Sequence, residues 1–408
     1  MKNVRDIRED KNLFFLIPED IVIGKFTCNE NVAVIIYLYY EEYLCKYISY
    51  IDKIPPNFAI YIVTSNDNLY ELINQYRLQN ENKNILLIKK ENRGRDISAL
   101  LVACRDICLK YEYICFVHDK RKKEWIPSAD FELWIENLWG NTLGTQEYIL
   151  NLLYTLERNP EIGVMAPPEP MGSYLNAWYI NTWGNNFELV YNLINELKVN
   201  CDLDISKSPI TLGSVFWARS RALKKLFEKK WNYLDFEEEP LNENGTISHA
   251  IERIFAYVAQ DAGYNTGTVM NISYAKKMLC YTQKRFSAVY QLFQDEYGFS
   301  DVENFPEKRN IIYEFCKKNK KVYLYGAGKV GKGCLHLLRA GGYQPLGFIV
   351  SNMCQHSQEI EGIPVRTLEN INCIAEVGII VTVGKKLQEE IVEELLTHDI
   401  KNYIKYLE

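Results

Sequence analysis

Alternating strands and helices constrain the fold of this chain more than any other feature of its sequence. Four apolar runs have the length and composition of buried strands: NVAVIIYLYY (31–40), FAIYIVTS (58–65), NILLIKK (84–90) and YICFV (113–117). The segments between them carry apolar residues at helical spacing. Strands alternating with helices of this length predict βαβ units and an α/β fold with a mostly parallel sheet. Ligands of such a sheet bind beyond the carboxyl ends of its strands.

The length of 408 residues predicts more than one domain. The segment YGFSDVENFPEKRN (297–310) has the composition of a linker, and a second strand–helix pattern begins at KKVYLYGAGKVGKGCLHLL. We therefore predict a larger domain over 1–305, with its core over 30–270, and a smaller Rossmann-like parallel-sheet domain over 306–408.

Composition and charge limit the function classes. The formal net charge is −6, whereas a general nucleic-acid binder has a basic surplus. No apolar stretch reaches the roughly 18–20 residues that span a bilayer, and the start, MKNVRDIREDKN, lacks the apolar region of a signal peptide. The 11 cysteines include no CxxC pair, which fits free thiols in a reducing cytoplasm. We expect a cytoplasmic protein, soluble or peripheral to the inner face of the membrane.

A loop rich in charged side chains, ENRGRDISAL (91–100), follows the third strand and precedes a helix. Arg93 and Arg95 carry planar, permanently charged groups that suit phosphate oxygens. Gly94 lets the backbone turn and approach a ligand closely. Asn92 or Asp96 can bond a pyrimidine or ribose, or Asp96 can simply cap the helix that begins near residue 97. The loop predicts an anionic, sugar-bearing ligand.

Four separated motifs occur in one order: NRGRD (92–96), HDK (118–120), TLGSVFWAR (211–219) and HAIERIFAYVAQDAGYNT (249–266). Together they resemble the rhamnan synthesis protein F family of bacterial polysaccharide glycosyltransferases. The resemblance implies a GT-A-like domain that transfers a deoxyhexose, such as rhamnose, from a donor linked to dTDP or UDP. The implied acceptor is a growing, lipid-linked glycan.

In the GT-A pattern, a strand ends in Asp-x-Asp, whose two acids hold a divalent metal on the donor diphosphate. Here His118, Asp119 and Lys120 occupy that place. Hard cations prefer oxygen ligands, so His and Lys make a poor metal site. Lys120, aided by Arg121, can instead neutralise the diphosphate directly. We assign no metal ligand and expect metal-free or weakly metal-dependent chemistry.

An inverting transfer needs a general base near the acceptor hydroxyl. In family-2 glycosyltransferases this base is an Asp near the start of a helix that ends in Gly-aromatic. Glu252 lies eleven residues before Gly263, a spacing that resembles that arrangement. His249 lies one helical turn earlier, on the same side. We predict Glu252 as the base and His249 as its neighbour or deputy; the alternative is an ordinary surface pair of Glu252 with Arg253.

Acceptor or sugar contacts are predicted on the strand-like segment before residue 220, namely Gly213, Ser214, Trp217 and Arg219. Phe216 and Trp217 point to opposite sides of a strand, so one of them belongs to the core. The aromatic segment NAWYINTWGNN (176–186) can form an acceptor wall or pack in the core.

The second domain carries Gly326-x-Gly328-x-x-Gly331 between a strand and a helix, which is the Rossmann fingerprint in its usual context. The acid expected about twenty residues later is missing near Ser351. The segment resembles the small Rossmann-like domains found beside glycosyltransferase modules. NAD or another nucleotide can bind there, or the domain can form a homodimer or act as a scaffold.

Two other functions stay open. One is a non-catalytic scaffold of a polysaccharide assembly complex, in which the altered HDK motif reflects lost catalysis. The other is a nucleotide-sugar epimerase or reductase acting through the second domain.

Overall fold

The computed structural model describes residues 12–27, 31–169, 183–201, 203–206, 211, 213–242, 244–298, 304–353, 357–371 and 377–407. The chain divides into two compact units, Met1–Met278 and Leu279–Glu408.

The first unit contains an eight-stranded sheet. Its strands are β1 (Asn12–Ile17), β2 (Val32–Tyr37), β3 (Ala59–Thr64), β4 (Asn84–Lys89), β5 (Tyr113–His118), β6 (Ile162–Ala166), β7 (Phe216–Arg219) and β8 (Asn265–Asn271). They lie in the order β1-β8-β6-β7-β5-β2-β3-β4. Only β7 runs antiparallel, against β5 and β6. The α/β class with a mostly parallel sheet, predicted from the sequence, is confirmed.

Helices connect these strands. They are α1 (Leu44–Ile51), α2 (Asp67–Gln79), α3 (Arg95–Ser98), α4 (Arg105–Lys110), α5 (Ser128–Ile135), α6 (Asn141–Leu143), α7 (Gln146–Arg158), α8 (Phe187–Glu196), α9 (Lys224–Glu228), α10 (Ile247–Glu252) and α11 (Phe255–Asp261). The helix predicted over 97–110 is present as α3 and α4, joined by a π-helical turn over Ala99–Ala103.

Each face of the sheet has its own hydrophobic core, because side chains along a strand alternate between the faces. On β5, Phe116 belongs to one core and Cys115 to the other. Phe216 and Trp217 of β7 are divided in the same way. Helices cover both faces, so the central strands are apolar throughout; all six residues of β2 are buried.

The second unit contains a six-stranded sheet in the order β11-β12-β10-β9-β13-β14. Its strands are β9 (Val322–Tyr325), β10 (Gly347–Ile349), β11 (Glu359–Ile360), β12 (Ile363–Arg366), β13 (Gly378–Val381) and β14 (Tyr403–Lys405). All pairs are parallel except β11 with β12. Its helices are α13 (Phe305–Lys318), α14 (Lys329–Ala340) and α15 (Lys385–Thr397), and α12 (Ile272–Tyr297) begins in the first unit and ends in the second.

The units divide at 278/279, earlier than the boundary predicted at 305/306. The reason is that the end of α12 packs within the second unit. The Tyr406 hydroxyl donates to the Tyr297 carbonyl (2.7 Å), and the Tyr297 and Phe305 rings lie 5.3 Å apart. The described part of the predicted linker therefore consists largely of helix ends. Among the described helices, none is long and apolar enough to cross a membrane.

Candidate active site

A cavity of about 100 Å³ lies beyond the carboxyl end of β5. Its lining residues come from helix α3, the end of β5 and the residues after it, the segment before β7, the segment before α10, and α10 itself: Arg95, Asp96, Ile97, His118, Lys120, Ser214, Leu241, Ser248, His249 and Glu252. Pockets for whole small-molecule ligands usually measure about 300–1,000 Å³. This cavity is therefore large enough for one polar group of a ligand, such as a phosphate.

The loop before α3 turns through a left-handed backbone. Gly94 has φ 70° and Arg95 has φ 44°. A Cβ atom at Gly94 would lie 2.6 Å from the Phe236 ring. Glycine is thus required at position 94 for two reasons: the left-handed turn of the backbone and the close approach of the Phe236 ring.

Arg93 binds the segment that precedes α10. Its Nε donates to the Phe236 carbonyl (2.6 Å), and its Nη1 lies 3.3 Å from Glu238 Oε1. Arg93 is not among the residues that line the cavity. Asn92 is exposed and accepts a hydrogen bond from the Ser65 hydroxyl (3.2 Å). The structure therefore gives Arg93 a partner other than the predicted phosphate.

Arg95 lies at the cavity, where its Nη2 donates to the Leu241 carbonyl (3.3 Å) and its Nε lies 3.5 Å from Glu239 Oε1. Its side chain remains 42% exposed. These contacts leave part of the guanidinium accessible to a ligand.

Asp96 lines the cavity and interacts there with His118, Lys120 and Ser214. Its Oδ2 lies 3.6 Å from His118 Nε2, and its carboxylate accepts a hydrogen bond from Ser214. Burial acts to raise the pKa of this carboxyl, but electrostatic interactions with His118 and Lys120 and the Ser214 bond lower it below its ordinary value. Asp96 is therefore ionised. Of the two roles considered for Asp96, that of helix N-cap is excluded, because the N-cap residue is Gly94.

Both ring nitrogens of His118 face carbonyl oxygens. Nδ1 lies 2.9 Å from the Asp119 carbonyl, and Nε2 lies 2.8 Å from the Gly213 carbonyl. Burial lowers the pKa of His118, and the Lys120 charge lowers it further, whereas Asp96 opposes the change. A neutral imidazole donates to only one of the two carbonyls.

Asp119 connects two strand ends. Its Oδ2 accepts from the backbone amides of Tyr39 and Tyr40, both at 2.7 Å. Burial raises the pKa of Asp119 to about 7, although these two bonds act to lower it. The carboxylate is thus occupied by the segment after β2 and lies outside the cavity lining. A histidine and a lysine flank Asp119 in the sequence, which is a poor ligand set for a hard divalent cation, and metal-free chemistry stays a prediction.

Lys120 lines the cavity, and its Nζ lies 5.1 Å from the centroid of the Trp134 ring. Its backbone amide donates to the Tyr47 hydroxyl (3.1 Å). Tyr47 therefore holds the backbone of Lys120, and Trp134 lies within cation–π range of its ammonium group.

His249 and Glu252 of α10 both line the cavity, one helical turn apart. His249 Nδ1 lies 2.7 Å from the Thr246 hydroxyl, and burial lowers the pKa of this ring. Glu252 is 21% exposed and lies 3.7 Å from Arg253 Nη1. A pair of Glu252 with Arg253 is therefore present, but Arg253 is buried, so the pair is not the surface pair of the alternative interpretation, and Glu252 still lines the cavity.

Gly213 and Ser214 also have left-handed backbones, with φ 111° and 45°. The turn places the Gly213 carbonyl against His118 and the Ser214 hydroxyl against Asp96. A non-glycine residue in this region is strained, and such strain is concentrated at functional sites.

The sugar contacts predicted for Trp217 and Arg219 are corrected by the structure, because both side chains lie in the core. Trp217 is 0% exposed, and its Nε1 donates to the Thr142 carbonyl (3.0 Å). Arg219 is 2% exposed and donates to the Ile162 carbonyl (3.1 Å) and the Tyr113 hydroxyl (2.9 Å). In the aromatic segment 176–186, Trp183 packs at 5.1 Å from Phe187, and residues 176–182 lie outside the described residues.

The sequence-based prediction missed Ile97, Leu241 and Ser248 of the cavity lining and the glutamates that hold the loop. An available signal was the acidic run FEEEPL (236–241), whose charge complements NRGRD. Nothing in the sequence alone indicated that these two segments lie side by side.

The glycine loop of the second unit joins β9 to α14, as predicted. Gly326 has φ 115°, and a Cβ atom there would lie 2.7 Å from the Thr382 carbonyl. A Cβ atom at Gly331 would lie 1.9 Å from the Gly326 carbonyl. Gly328 is the N-cap residue of α14 and has open space around it. Backbone packing accounts for Gly326 and Gly331, so a nucleotide at this loop stays a prediction.

Comparison with known proteins places the first unit in a family. Residues 1–264 match the sequence pattern of the family described as rhamnan synthesis protein F. The chain belongs to the rhamnan synthesis protein F family. All cavity residues of this family member lie within the matched range, and the glycine loop of the second unit lies outside it.

Individual relatives are more distant. The protein WxcX from two strains of Xanthomonas campestris pv. campestris is 26% identical over 251 residues, which are 59% of this chain and 33% of WxcX. The chain thus spans about a third of the length of these relatives. A mannosyltransferase of Pyrobaculum calidifontis, solved with GDP-Man and Mn²⁺, has a TM-score of 0.35 and 15% identity, covering 62% of this chain and 57% of the mannosyltransferase. A likeness of that size carries no inference about donor or metal.

Proposed function

We propose that this chain is an inverting, GT-A-like glycosyltransferase. It transfers a sugar, with rhamnose or another deoxyhexose favoured, from a dTDP- or UDP-linked donor to a growing, lipid-linked bacterial cell-surface polysaccharide. The observation that carries the proposal is the convergence of the cations Arg95 and Lys120 with the carboxylate of Glu252 in one cavity beyond β5. Membership of the rhamnan synthesis protein F family supports the polysaccharide product.

Two cations act on the donor. Arg95 has an exposed guanidinium, and Lys120 supplies an ammonium group beside the end of β5. Positive charge placed where a leaving diphosphate gains charge lowers the barrier to transfer. The Ser248 hydroxyl lines the same cavity and is a donor or acceptor for a sugar hydroxyl.

Glu252 acts on the acceptor. Its carboxylate takes the proton of the acceptor hydroxyl while that oxygen bonds to the anomeric carbon. The bond from this carbon to the diphosphate oxygen breaks, and its electron pair stays on the diphosphate. Attack opposite the leaving group inverts the anomeric configuration. His249, one turn away with a lowered pKa, is a neutral neighbour that accepts or relays a proton.

A non-catalytic scaffold is the second candidate. It is favoured by the binding of Arg93 to Glu238 and Phe236, which removes one of the two predicted phosphate ligands, and by the small volume of the cavity. A scaffold neither hydrolyses nor transfers from a nucleotide-sugar.

The test is to incubate the full chain with dTDP- and UDP-linked deoxyhexoses, with and without EDTA. We expect nucleotide release and transfer to a lipid-linked glycan in both conditions, with inverted configuration by NMR. If the chain neither releases nucleotide nor transfers sugar from any of these donors, the result favours the scaffold. Complete loss in EDTA that Mn²⁺ restores means that Asp119 and a second acid bind a metal.

A further inference from the structure

Lys90 is a buried lysine at the base of the loop that carries Arg95 and Asp96. It directly follows β4, and only 5% of its surface is exposed. Its Nζ donates to the carbonyl oxygens of Glu91 (2.7 Å) and Arg93 (3.2 Å). Lysine is almost never buried unless it is paired, and here its partners are the backbone of the loop itself.

Aromatic rings and acids surround this ammonium group. The titratable groups that face it are Tyr37 of β2 (5.1 Å to the ring centroid), Tyr233 of the 3₁₀ turn Tyr233–Asp235 (5.9 Å), Glu91, Asp96 of α3 and Glu239 of the segment before α10. Both rings lie within the range of cation–π attraction. Burial lowers the pKa of Lys90 to about 8, against the opposing effect of the three acids. Lys90 is therefore mostly charged at pH 7.

The bonds of Lys90 fix the loop immediately before it turns. The Arg93 carbonyl accepts from Lys90 and also from the Ser98 hydroxyl of α3. The next residue, Gly94, has φ 70°, and the chain then enters α3. We propose that Lys90 is a positioning residue: its ammonium group holds loop 91–94 in the conformation that directs Arg95 and Asp96 into the cavity. The effect on donor binding rests on the proposed function; the effect on the loop does not.

Loss of the proton changes the bonds of Lys90 and the stability of the fold. A neutral amine keeps N–H donors but loses the charge that makes such bonds roughly twice as strong. The unfolded lysine has a pKa of about 10.4, so between about pH 8 and 10.4 the unfolded chain binds more protons. Through this group the free energy of unfolding therefore rises with pH over the same interval. An opening of loop 91–94 that exposes Lys90 to water follows the same linkage, so this opening becomes less favourable as the pH rises.

The first test needs no ligand. Amide hydrogen exchange is measured on the full chain for the wild type, Lys90→Gln and Lys89→Gln. Lys89 is the matched control, because its side chain is 39% exposed and pairs with Asp67 on the surface. We expect exchange over 91–96 to become at least about tenfold faster in Lys90→Gln and to stay unchanged in Lys89→Gln. Equal exchange in the two variants would overturn the proposal.

The second test titrates UDP, dTDP and GDP into the same proteins and into Lys90→Arg. We expect Lys90→Gln to weaken the best nucleotide about tenfold. Lys90→Arg, which keeps a charged donor, should bind this nucleotide nearly as well as the wild type. An affinity of Lys90→Arg as low as that of Lys90→Gln contradicts the positioning role. If no nucleotide binds the wild type, the proposed function fails, and hydrogen exchange still decides the role of Lys90. Should Lys90→Gln not fold, wild-type exchange over 91–96 decides it: after correction for the intrinsic rate, exchange should slow between pH 7 and 9, and faster exchange at pH 9 would overturn the proposal.

Discussion

Two loops of this chain join a strand to a helix through glycines with positive φ, and they differ in what surrounds them. At loop 91–94, Gly94 is followed by charged side chains that meet His118 and Lys120 in a cavity. At the loop of the second unit, Gly326 and Gly331 lie against backbone carbonyls. The glycine pattern itself reports a tight turn, and the side chains that converge on the turn decide whether it can bind a ligand.

The largest expected effect concerns Glu252, the proposed general base of the first unit. No residue of the second unit is assigned such a role. Glu252→Gln keeps the size of the side chain but removes the basic carboxylate, so the transfer rate should fall by about 10²–10⁴-fold. Donor affinity should stay near normal, since the loss falls on the transition state. Turnover and nucleotide binding are measured on the same preparation. Transfer at nearly the wild-type rate would remove Glu252 as the base and make His249 the first candidate, to be tested as His249→Ala.

A smaller effect separates the two arginines of the first loop. Arg95→Ala should weaken nucleotide binding by about 2 kcal/mol, roughly thirtyfold in Kd, because its exposed guanidinium faces the cavity. Arg93→Ala should change Kd less and should lower the melting temperature, because Arg93 binds Phe236 and Glu238. Isothermal titration and thermal unfolding of both variants check this. Equal losses of affinity would mean that Arg93 leaves its partners when the donor binds.

The third expected effect is a pH dependence of stability. The pKa of Asp119 is raised to about 7, against about 3.9 in an unfolded chain. Between these values the folded protein binds more protons, so the free energy of unfolding falls as the pH rises from about 4 to 7. Asp119→Asn cannot titrate, and the part of the fall between pH 5 and 8 that Asp119 causes, roughly 2–3 kcal/mol, should disappear. An unchanged slope in the variant would show that Asp119 is ionised in the folded state at pH 5.

The fold followed from the sequence where local pattern decides it. The runs that became β2, β3 and β5 are short, continuous and apolar, as expected of buried parallel strands, and all residues of these three strands are buried. The run that became β4 forms an edge strand and is only partly buried. The position of the helix after NRGRD was predicted nearly correctly, because the helical spacing of its apolar residues can be read from neighbouring residues alone.

Parts of the site did not follow, because they depend on contacts between distant segments. Trp217 and Arg219 look like binding residues in sequence, yet β7 lies between β5 and β6 with both faces covered. Arg93 and Arg95 are two arginines separated by one residue, but only Arg95 lines the cavity. Gly94 lies between the two arginines, and its left-handed backbone turns their side chains in different directions.

The central claim is that the cavity of the first unit, and not the glycine loop of the second, binds the donor nucleotide. Lys120 of the cavity and Lys329, the first residue of α14, provide a matched pair of lysines. The direct measurement is the rise in melting temperature that UDP, dTDP and GDP produce in Lys120→Ala and Lys329→Ala. The account predicts that the rise is lost in Lys120→Ala and kept in Lys329→Ala. A rise kept in Lys120→Ala and lost in Lys329→Ala would contradict it.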